Sequence, residues 1–365
     1  MTILEFMQSF TLFDLILYFL KLGATGFGGP VALIGYMLKD LVEEKKWFSK
    51  EEYLHGFALA QIVPGPLATQ LAIYLGYLKG RILGATLVAV AFILPSFLII
   101  LALAYLYVHY SGLPWIHSVF YGMSAAVIGV IIQAAYKLAR TTLEKKKGLW
   151  VIFVVLAVTT AFLQKESLLL FLISGLAAVV LYAFPKKEKL FSFFPLELFF
   201  FFFKTALVVF GSGMVIIPFI YNDVVNRFHW LTNAQFLDAV SVGMITPGPV
   251  LITVGFVGYL AEGFWGALFS VIGIFLPVYL FVIVCAPWFY KISSNLKIKA
   301  FVEGVTAAAA GAIAGSIFIL GQKAIIDYWT AGIALITLAL IFKTKMPPAL
   351  LIVAGGLAGV VIKSF

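Results

Sequence analysis

The sequence predicts an all-α, polytopic membrane protein made of two inverted-topology repeats, and its composition, its apolar stretches and an internal repeat support this prediction. Of the 365 residues, 63% are hydrophobic and only 11% are charged, whereas about 25% are charged in a typical soluble domain. About twelve apolar stretches approach the ~20 residues that a helix needs to cross a bilayer core. The polar segments between them are too short to form a separate soluble domain. We therefore expect a multi-pass protein of the inner (plasma) membrane.

The charge and cysteine content argue against several other classes of protein. The formal net charge is +9 at pH 7, but the cations lie in short loops, where they act as topology signals rather than as a nucleic-acid surface. Cys285 is the single cysteine, and the histidines lie far apart in sequence. The sequence therefore predicts no disulfide bond, no metal site and no cofactor. The lipid bilayer is the expected partner, nucleic acid is not, and a homodimer is compatible with the sequence.

The second half of the chain repeats the first half at a nearly constant offset. The aligned pairs are Lys21 with Lys204, Phe27-Gly28 with Phe210-Gly211, Asp40 with Asp223, Trp47 with Trp230, Pro64-Gly65-Pro66 with Pro247-Gly248-Pro249, Gly76-Tyr77 with Gly258-Tyr259, and Pro95 with Pro277. Agreement over this length predicts two domains of one fold, an N-terminal repeat at residues 1–184 and a C-terminal repeat at residues 185–365.

The loop charges predict that the second repeat is inverted in the membrane. Lys and Arg collect at residues 39–50, 79–81, 137–147 and 186–189 in the first half, but at 291–299 and 343–345 in the second. Because cytoplasmic loops carry the excess of Lys and Arg, equivalent loops of the two repeats face opposite sides. Inversion requires an odd number of crossings, so we predict five membrane-crossing helices and one re-entrant helical hairpin per repeat.

The Pro-Gly-Pro stretch of each repeat is the predicted re-entrant hairpin. Ser49 with Glu52, and Thr232 with Gln235, form the sequence pattern of a capping box, which starts a helix. Each helix then runs for about 14 residues, or about 21 Å, before the prolines end it. This length is too short to cross the bilayer, so the chain is expected to turn there and return.

Interruptions of the apolar stretches mark the expected substrate site, because non-helical backbone is tolerated in a bilayer only where it is buried in protein or lines a wet cavity. The residues that we assign to substrate binding are Lys21, Gly26, Phe27, Gly28, Gly29, Pro64, Gly65, Pro66, Thr69 and Gln70 in the first repeat, and Lys204, Phe210, Gly211, Ser212, Gly213, Thr246, Pro247, Gly248 and Pro249 in the second. Inverted repeats with interrupted helices commonly hold their substrate near the bilayer midplane.

The chemistry of these residues favours an anion. Helix N-termini that follow a break carry unpaired N–H groups and about half a positive charge. Lys21 and Lys204 precede the glycine breaks at equivalent positions, where both would attract a dianion; alternatively, each lysine snorkels to the interface. Asp238 and Glu303 are candidate carriers of a coupled proton, and pairing with a cation is the alternative for each.

These residues resemble the chromate ion transporter family. Phe27-Gly28-Gly29-Pro30, Lys39-Asp40, Trp47 and Pro64-Gly65-Pro66 with Thr69-Gln70 recur as Phe210-Gly211, Asp223, Trp230-Leu231-Thr232 and Thr246-Pro247-Gly248-Pro249. The match is similar to the duplicated domain of that family across nearly the whole chain. The resemblance implies export of chromate, driven by the proton motive force.

Other functions stay open at this point. The residues alone indicate an anion-favouring transporter, so sulfate is an alternative substrate, and a passive anion channel is an alternative mechanism. An integral-membrane enzyme is a more distant alternative, since it would need a nucleophile with a nearby base or a metal cluster. The sequence contains no such pattern, and we assign no catalytic residue. Flux that ignores an imposed proton gradient would favour the channel.

Overall fold

A computed structural model describes residues 10–27, 29–110, 113–143, 147–163, 194–207, 210–211, 216–288, 296–344 and 346–364. In the first repeat the elements are α1 (Leu12–Thr25), α2 (Gly29–Met37) with a π-helical extension (Leu38–Glu44), α3 (Lys50–Ile62), β1 (Gly65–Pro66), α4 (Leu67–Tyr110), α5 (Pro114–Leu143) and α6 (Lys147–Leu163).

The second repeat follows the same order. Its elements are α7 (Phe194–Ala206), β2 (Phe210–Gly211), α8 (Ile216–Tyr221) with a π-helical extension (Asn222–Arg227), α9 (Asn233–Ile245), a 3₁₀ turn (Val250–Ile252), α10 (Thr253–Cys285), a second 3₁₀ turn (Ala286–Trp288), α11 (Leu296–Ala324), α12 (Tyr328–Lys343) and α13 (Pro348–Ser364).

The helices have the length and composition of membrane spans. Within the described residues, the segments Leu67–Tyr110, Pro114–Arg140, Val250–Cys285 and Thr306–Ala324 are long and apolar enough to cross a membrane. Shorter apolar helices, such as Tyr328–Lys343, accompany them. The prediction of an all-α, multi-pass membrane protein is therefore confirmed, whereas the number of crossings and the inverted orientation stay predictions.

The first apolar stretch does not continue in a straight line through the glycine break. The rings of Phe10 and Trp47 stack 4.8 Å apart, and the Tyr18 hydroxyl donates to the Asp40 carboxylate at 3.0 Å. A collinear path would separate Phe10 from Trp47 by about 55 Å at ~1.5 Å per residue. The chain therefore folds back at the glycine break, and the number of membrane crossings per repeat stays a prediction.

The capping boxes that were predicted to start the second hairpin are present. The Ser49 and Thr232 side chains each accept from the backbone N–H three residues later, and the N3 side chain accepts from the cap N–H in return. Both helices, α3 and α9, are 13 residues long. Gly56 of α3 packs against Leu71 and Tyr74 of α4, so the chain also folds back at this turn. Entry and exit on one membrane side stay a prediction.

Each of the helices α4 and α10 contains a sharp turn at the same place in its repeat. Arg81 has φ +52° and Gly263 has φ +59°, the left-handed conformation that favours glycine. Just beside the first turn, a Cβ on Gly76 would lie 2.6 Å from the carbonyl oxygen of Gly84. Small residues are needed here because the two helical arms approach backbone to backbone.

The two repeats interlock in the core. Helix α5 of the first repeat packs on α12 and α13 of the second, while α11 of the second packs on α6 of the first. The long helices cross between repeats in the same way: Val278 and Val282 belong to the apolar cluster of the first repeat, and Phe97 and Ile100 belong to that of the second. A hairpin from each repeat is thus braced by a long helix from the other.

Candidate substrate-binding site

The tips of the hairpins meet across the repeats. Residues Gly65–Pro66 of the first Pro-Gly-Pro turn pair in parallel with Phe210–Gly211 at the second repeat's glycine break. In the mirror relationship, the Gly248 N–H donates to the carbonyl oxygen of Gly26 at 2.9 Å. Each Pro-Gly-Pro turn therefore forms its backbone contact with the glycine break of the opposite repeat.

Both turns need glycine for the same two reasons. Gly65 has φ +135° and Gly248 has φ +93°, conformations that other residues adopt only with strain. A Cβ on Gly65 would lie 2.9 Å from a methyl carbon of Val278, and one on Gly248 would overlap the Ser96 hydroxyl. Ser96 and Val278 follow the equivalent prolines of α4 and α10, so each turn lies against the proline-containing helix of the other repeat.

The first turn holds buried polar groups without partners. Gln70 donates its amide Nε2 to the carbonyl oxygens of Val63 at 2.9 Å and Pro64 at 2.6 Å, which fixes the turn. The Oε1 atom of Gln70 and the hydroxyl of Thr69 lie inside the protein with no hydrogen-bond partner among the described residues, although the two side chains are only 1% and 0% exposed. Buried polar atoms are nearly always hydrogen-bonded, so such atoms indicate the place of a bound ion or water.

The second turn is different, because its hydroxyls are satisfied within the protein. Thr246 donates to the carbonyl oxygen of Val242 at 2.8 Å, and Thr253 donates to that of Val250 at 2.7 Å. Residues Thr246, Pro247, Gly248 and Pro249 are all buried. Of the two turns, the first is therefore the one that holds unpartnered polar side-chain atoms, at the N-terminus of α4.

The remaining predicted residues are placed as follows. Gly26 is buried, Phe27 is 40% exposed, and Gly29 has φ +76°. The side chains of Lys21 and Lys204 are exposed rather than packed among the tips. The predictions for Gly28, Ser212 and Gly213, and for the side chains of Phe210 and Glu303, concern positions outside the described residues.

Asp238 is brought into a contact that the sequence did not predict. It lies on α9, is 8% exposed, and accepts a hydrogen bond from the Tyr107 hydroxyl of α4 at 2.7 Å. Ser96 was also missed; its hydroxyl donates to the carbonyl oxygen of Gly23 at 3.2 Å beside the second turn. The position of Ser96 directly after a repeated proline was the one available signal, whereas Tyr107 lies 131 residues from its partner.

Interlocked apolar helices, helical hairpins whose tips meet in the interior, and buried polar atoms at one tip define the class of protein: a polytopic membrane protein with the interrupted helices that are typical of transporters. The sequence profile described as "Chromate transporter" matches residues 13–180 and again residues 196–360. The chain belongs to this chromate transporter family, and it is a multi-pass protein of the plasma membrane.

Relatives of the chain carry the same description. The chromate transport protein of Cupriavidus metallidurans is 50% identical, over 95% of this chain and 92% of the relative. A probable chromate transport protein of Synechococcus elongatus is 47% identical, over 100% of this chain and 98% of the relative. The chromate transport protein of Pseudomonas aeruginosa is 32% identical, over 93% of this chain and 90% of the relative. No solved structure matches the chain.

Proposed function

We propose that the protein is a secondary transporter that exports chromate, or an oxyanion of similar shape such as sulfate, across the inner membrane, driven by the proton motive force. Relatives named as chromate transport proteins at 47–50% identity support chromate as the substrate. The observation that carries the proposal is the pair of buried, unpartnered polar groups of Thr69 and Gln70 at the crossed hairpin tips.

An oxyanion fits the first tip because of the groups that point toward it. Helix α4 begins at Leu67, directly after the turn, so its first N–H groups have no partner within the helix and favour negative charge. The Thr69 hydroxyl can donate a hydrogen bond to an oxyanion, and the Gln70 Oε1 atom can accept one from a protonated oxygen or a bound water. Lys21 and Lys204 contribute positive charge near the glycine breaks.

The proposal includes an inverted arrangement of the repeats, which two contacts support. The hydroxyls of Thr86 and Tyr279 are 2.7 Å apart. Further along, methyl carbons of Ile100 and Val271 lie 3.3 and 3.0 Å from the position that a Cβ on Gly255 would occupy. Ile100 and Val271 are therefore close to each other. As the residue number rises along α4 it falls along α10, so these equivalent helices run antiparallel.

Charge at the bases of the hairpins also supports inversion. The cations at the hairpin bases of the first repeat are each replaced at the equivalent position of the second: Lys39 by Asn222, Lys45 by Phe228, Lys46 by His229, Lys50 by Asn233, Lys79 by Ala261, and Arg81 by Gly263. Because Lys and Arg mark the cytoplasmic side, cations at the hairpin bases of one repeat and their loss at the same positions of the other favour opposite orientations of the two repeats in the membrane.

Alternating access follows from the two crossed contacts. The pairing at Gly65 and the hydrogen bond at Gly248 are equivalent, and in inverted repeats they lie toward opposite membrane faces of one central site. Opening the site to one face requires that one of these contacts loosens while the other holds. Rocking of one repeat against the other around a fixed site is the common mechanism of such folds.

The test is chromate uptake into everted vesicles, with and without an imposed pH gradient. We expect uptake that depends on the gradient, and we expect Thr69→Val to lower it about tenfold, since one hydrogen bond to a charged group contributes ~1.5–3 kcal/mol. Thr253→Val is the matched control, because that buried hydroxyl is already bonded to the carbonyl oxygen of Val250 in the preceding 3₁₀ turn, and uptake should stay within about twofold of wild type.

Two outcomes would contradict the proposal. If wild-type vesicles take up no chromate or sulfate, the protein does not transport these anions. If flux is unaffected by the pH gradient and a single-channel conductance is measured, the protein is a passive anion channel. Equal losses in Thr69→Val and Thr253→Val would remove the first tip as the binding site.

A further inference from the structure

We propose that Asp238 carries the coupled proton, with Tyr107 as the residue that positions its carboxyl group. The inference rests on the proposed secondary transport and names the group through which the proton gradient acts. It starts from a carboxyl group that is 8% exposed and that accepts one hydrogen bond, from Tyr107, at 2.7 Å.

The surroundings of this carboxyl group leave its charge uncompensated. No Lys, Arg or His side chain of the described residues lies within 4.0 Å of Asp238. Among them, Tyr107 is the one titratable or charged group that acts on it. The ring of Tyr107 is packed by Phe120 of α5 at 5.3 Å and Phe256 of α10 at 5.4 Å. A buried carboxylate without a cation is costly, so gaining or losing a proton changes the energy of this contact strongly.

The location of the pair links protonation to movement of the hairpin. Asp238 lies on α9, the helix that leads to the Pro-Gly-Pro turn at Gly248, and Tyr107 lies on α4 of the opposite repeat. Any displacement of the second hairpin against α4 stretches or breaks the bond between them. Because protonation changes the strength of this bond, the two hairpin positions hold the proton with different affinities.

A route for the proton reaches the pair from one end of the helices. A cavity of about 480 Å³ extends from the exposed side chains of Tyr110 and Trp115, where α4 connects to α5, to Tyr107. Val242, one turn after Asp238, also lines it. This end of α4 is opposite to Arg81 and the lysine-rich hairpin bases, so in the proposed topology the cavity faces outward. Tyr107 thus lines the cavity and also donates its hydroxyl to the Asp238 carboxylate.

The step involves only O–H bonds. With the cavity open, the Asp238 carboxylate takes a proton from outside and becomes a neutral acid. After the hairpin has shifted, the acid releases this proton to the cytoplasmic face, and the charge of the carboxylate is restored. One proton moves inward for each cycle of this group, in exchange for outward movement of the oxyanion.

A second Tyr–Asp pair between the repeats provides a matched control. The Tyr121 hydroxyl donates to both carboxylate oxygens of Asp327 at 2.7 and 2.6 Å, but Asp327 lies outside the membrane-spanning segments. The hydrogen bonds from Tyr121 and from the Thr330 backbone lower the pKa of Asp327 below its usual value. Asp327 therefore stays ionised at neutral pH and cannot carry a proton. Its exchange to Asn keeps a good N-cap for α12.

The experiment uses the full chain in proteoliposomes and compares two readouts. Exchange of external for internal chromate at equal pH requires binding and turnover but no net proton movement, whereas accumulation against a chromate gradient requires the pH gradient. For Asp238→Asn we expect accumulation to fall about tenfold or more, as expected for loss of a coupling free energy of 1–3 kcal/mol, while exchange continues. Asp327→Asn should retain both activities.

Two further variants separate a proton carrier from a structural residue. Asp238→Glu restores a carboxyl group and should restore accumulation, and Tyr107→Phe should shift the pH at which accumulation is half-maximal. Accumulation by Asp238→Asn at the wild-type level, loss of its exchange together with accumulation, or exchange without accumulation in Asp238→Glu would each overturn the inference. Wild-type protein that performs neither activity would instead refute the proposed transport function.

Discussion

Replacement of Gly248 by alanine is the most direct perturbation of the crossed hairpin tips. Gly248 has φ +93°, and its N–H donates to the carbonyl oxygen of Gly26 at 2.9 Å. A Cβ at this position would overlap the hydroxyl of Ser96 and lie 3.2 Å from the carbonyl oxygen of Gly23. The substitution therefore adds backbone strain and a steric clash at one contact.

The size of the effect follows from these two terms. A side chain in the left-handed conformation costs about 1–2 kcal/mol, and forcing an extra carbon into a packed interior costs about 1–3 kcal/mol. We expect Gly248→Ala to lower the free energy of unfolding by about 2–5 kcal/mol and to reduce transport, because the tip contact near Gly26 is displaced.

The assay is thermal unfolding of the detergent-solubilised protein, together with chromate uptake. Gly332→Ala on α12 is the control, since no atom lies within 4 Å of its added Cβ and alanine favours a helix by up to ~1 kcal/mol. The double variant Gly248→Ala with Ser96→Ala should recover part of the loss, because it removes the overlapping hydroxyl. If Gly248→Ala unfolds at the same temperature as Gly332→Ala and transports normally, the crossed tips do not support the fold in the way described.

Three further predictions concern the hairpins. Arg81→Gly should raise the unfolding temperature, because it removes ~1 kcal/mol of left-handed strain; an unchanged or lower temperature would show that other contacts of Arg81 outweigh this strain. Ser49→Ala should cost ~1 kcal/mol through loss of the capping box, measured by thermal unfolding, and no loss would mean that α3 is held by packing alone. In a Cys285→Ala background, single cysteines at Lys46 and His229 should react with a membrane-impermeant maleimide from opposite sides of the membrane. Labelling of both from one side would refute the inverted arrangement.

Local signals in the sequence predicted the start and end of the second hairpin. Ser49 with Glu52 forms a capping box and the prolines after Val63 end the helix, and both effects depend only on residues a few positions apart. The sequence also indicated the position of the glycine break, but not that the chain folds back there. Two helices of similar length on either side of a break look the same in sequence whether they continue in one direction or fold back. The contacts of Phe10 with Trp47 and of Tyr18 with Asp40 distinguish the two cases.

The assignment of residues to the candidate site stays a prediction, and the sequence did not indicate the difference between its two turns. The sequence left open which repeat supplies more of the contacts. In the structure, the hydroxyl of Thr253 donates to the carbonyl oxygen of Val250 in the preceding 3₁₀ turn, whereas that of Thr69 has no partner among the described residues. A difference of this kind depends on rotamers and on neighbours from distant parts of the chain. For the same reason Tyr107 was not predicted, because its contact with Asp238 joins helices of different repeats.

The crossed pairing of the tips has a consequence for any shorter polypeptide that contains one repeat. Such a chain would carry a Pro-Gly-Pro turn and a glycine break that cannot reach each other, since each finds its partner in the other half. It would therefore complete this arrangement only by associating with a second half-length chain, which in the proposed inverted arrangement is inserted upside down in the same bilayer. Covalent fusion of the halves fixes that opposite pairing at synthesis and makes the stoichiometry of the assembly one to one.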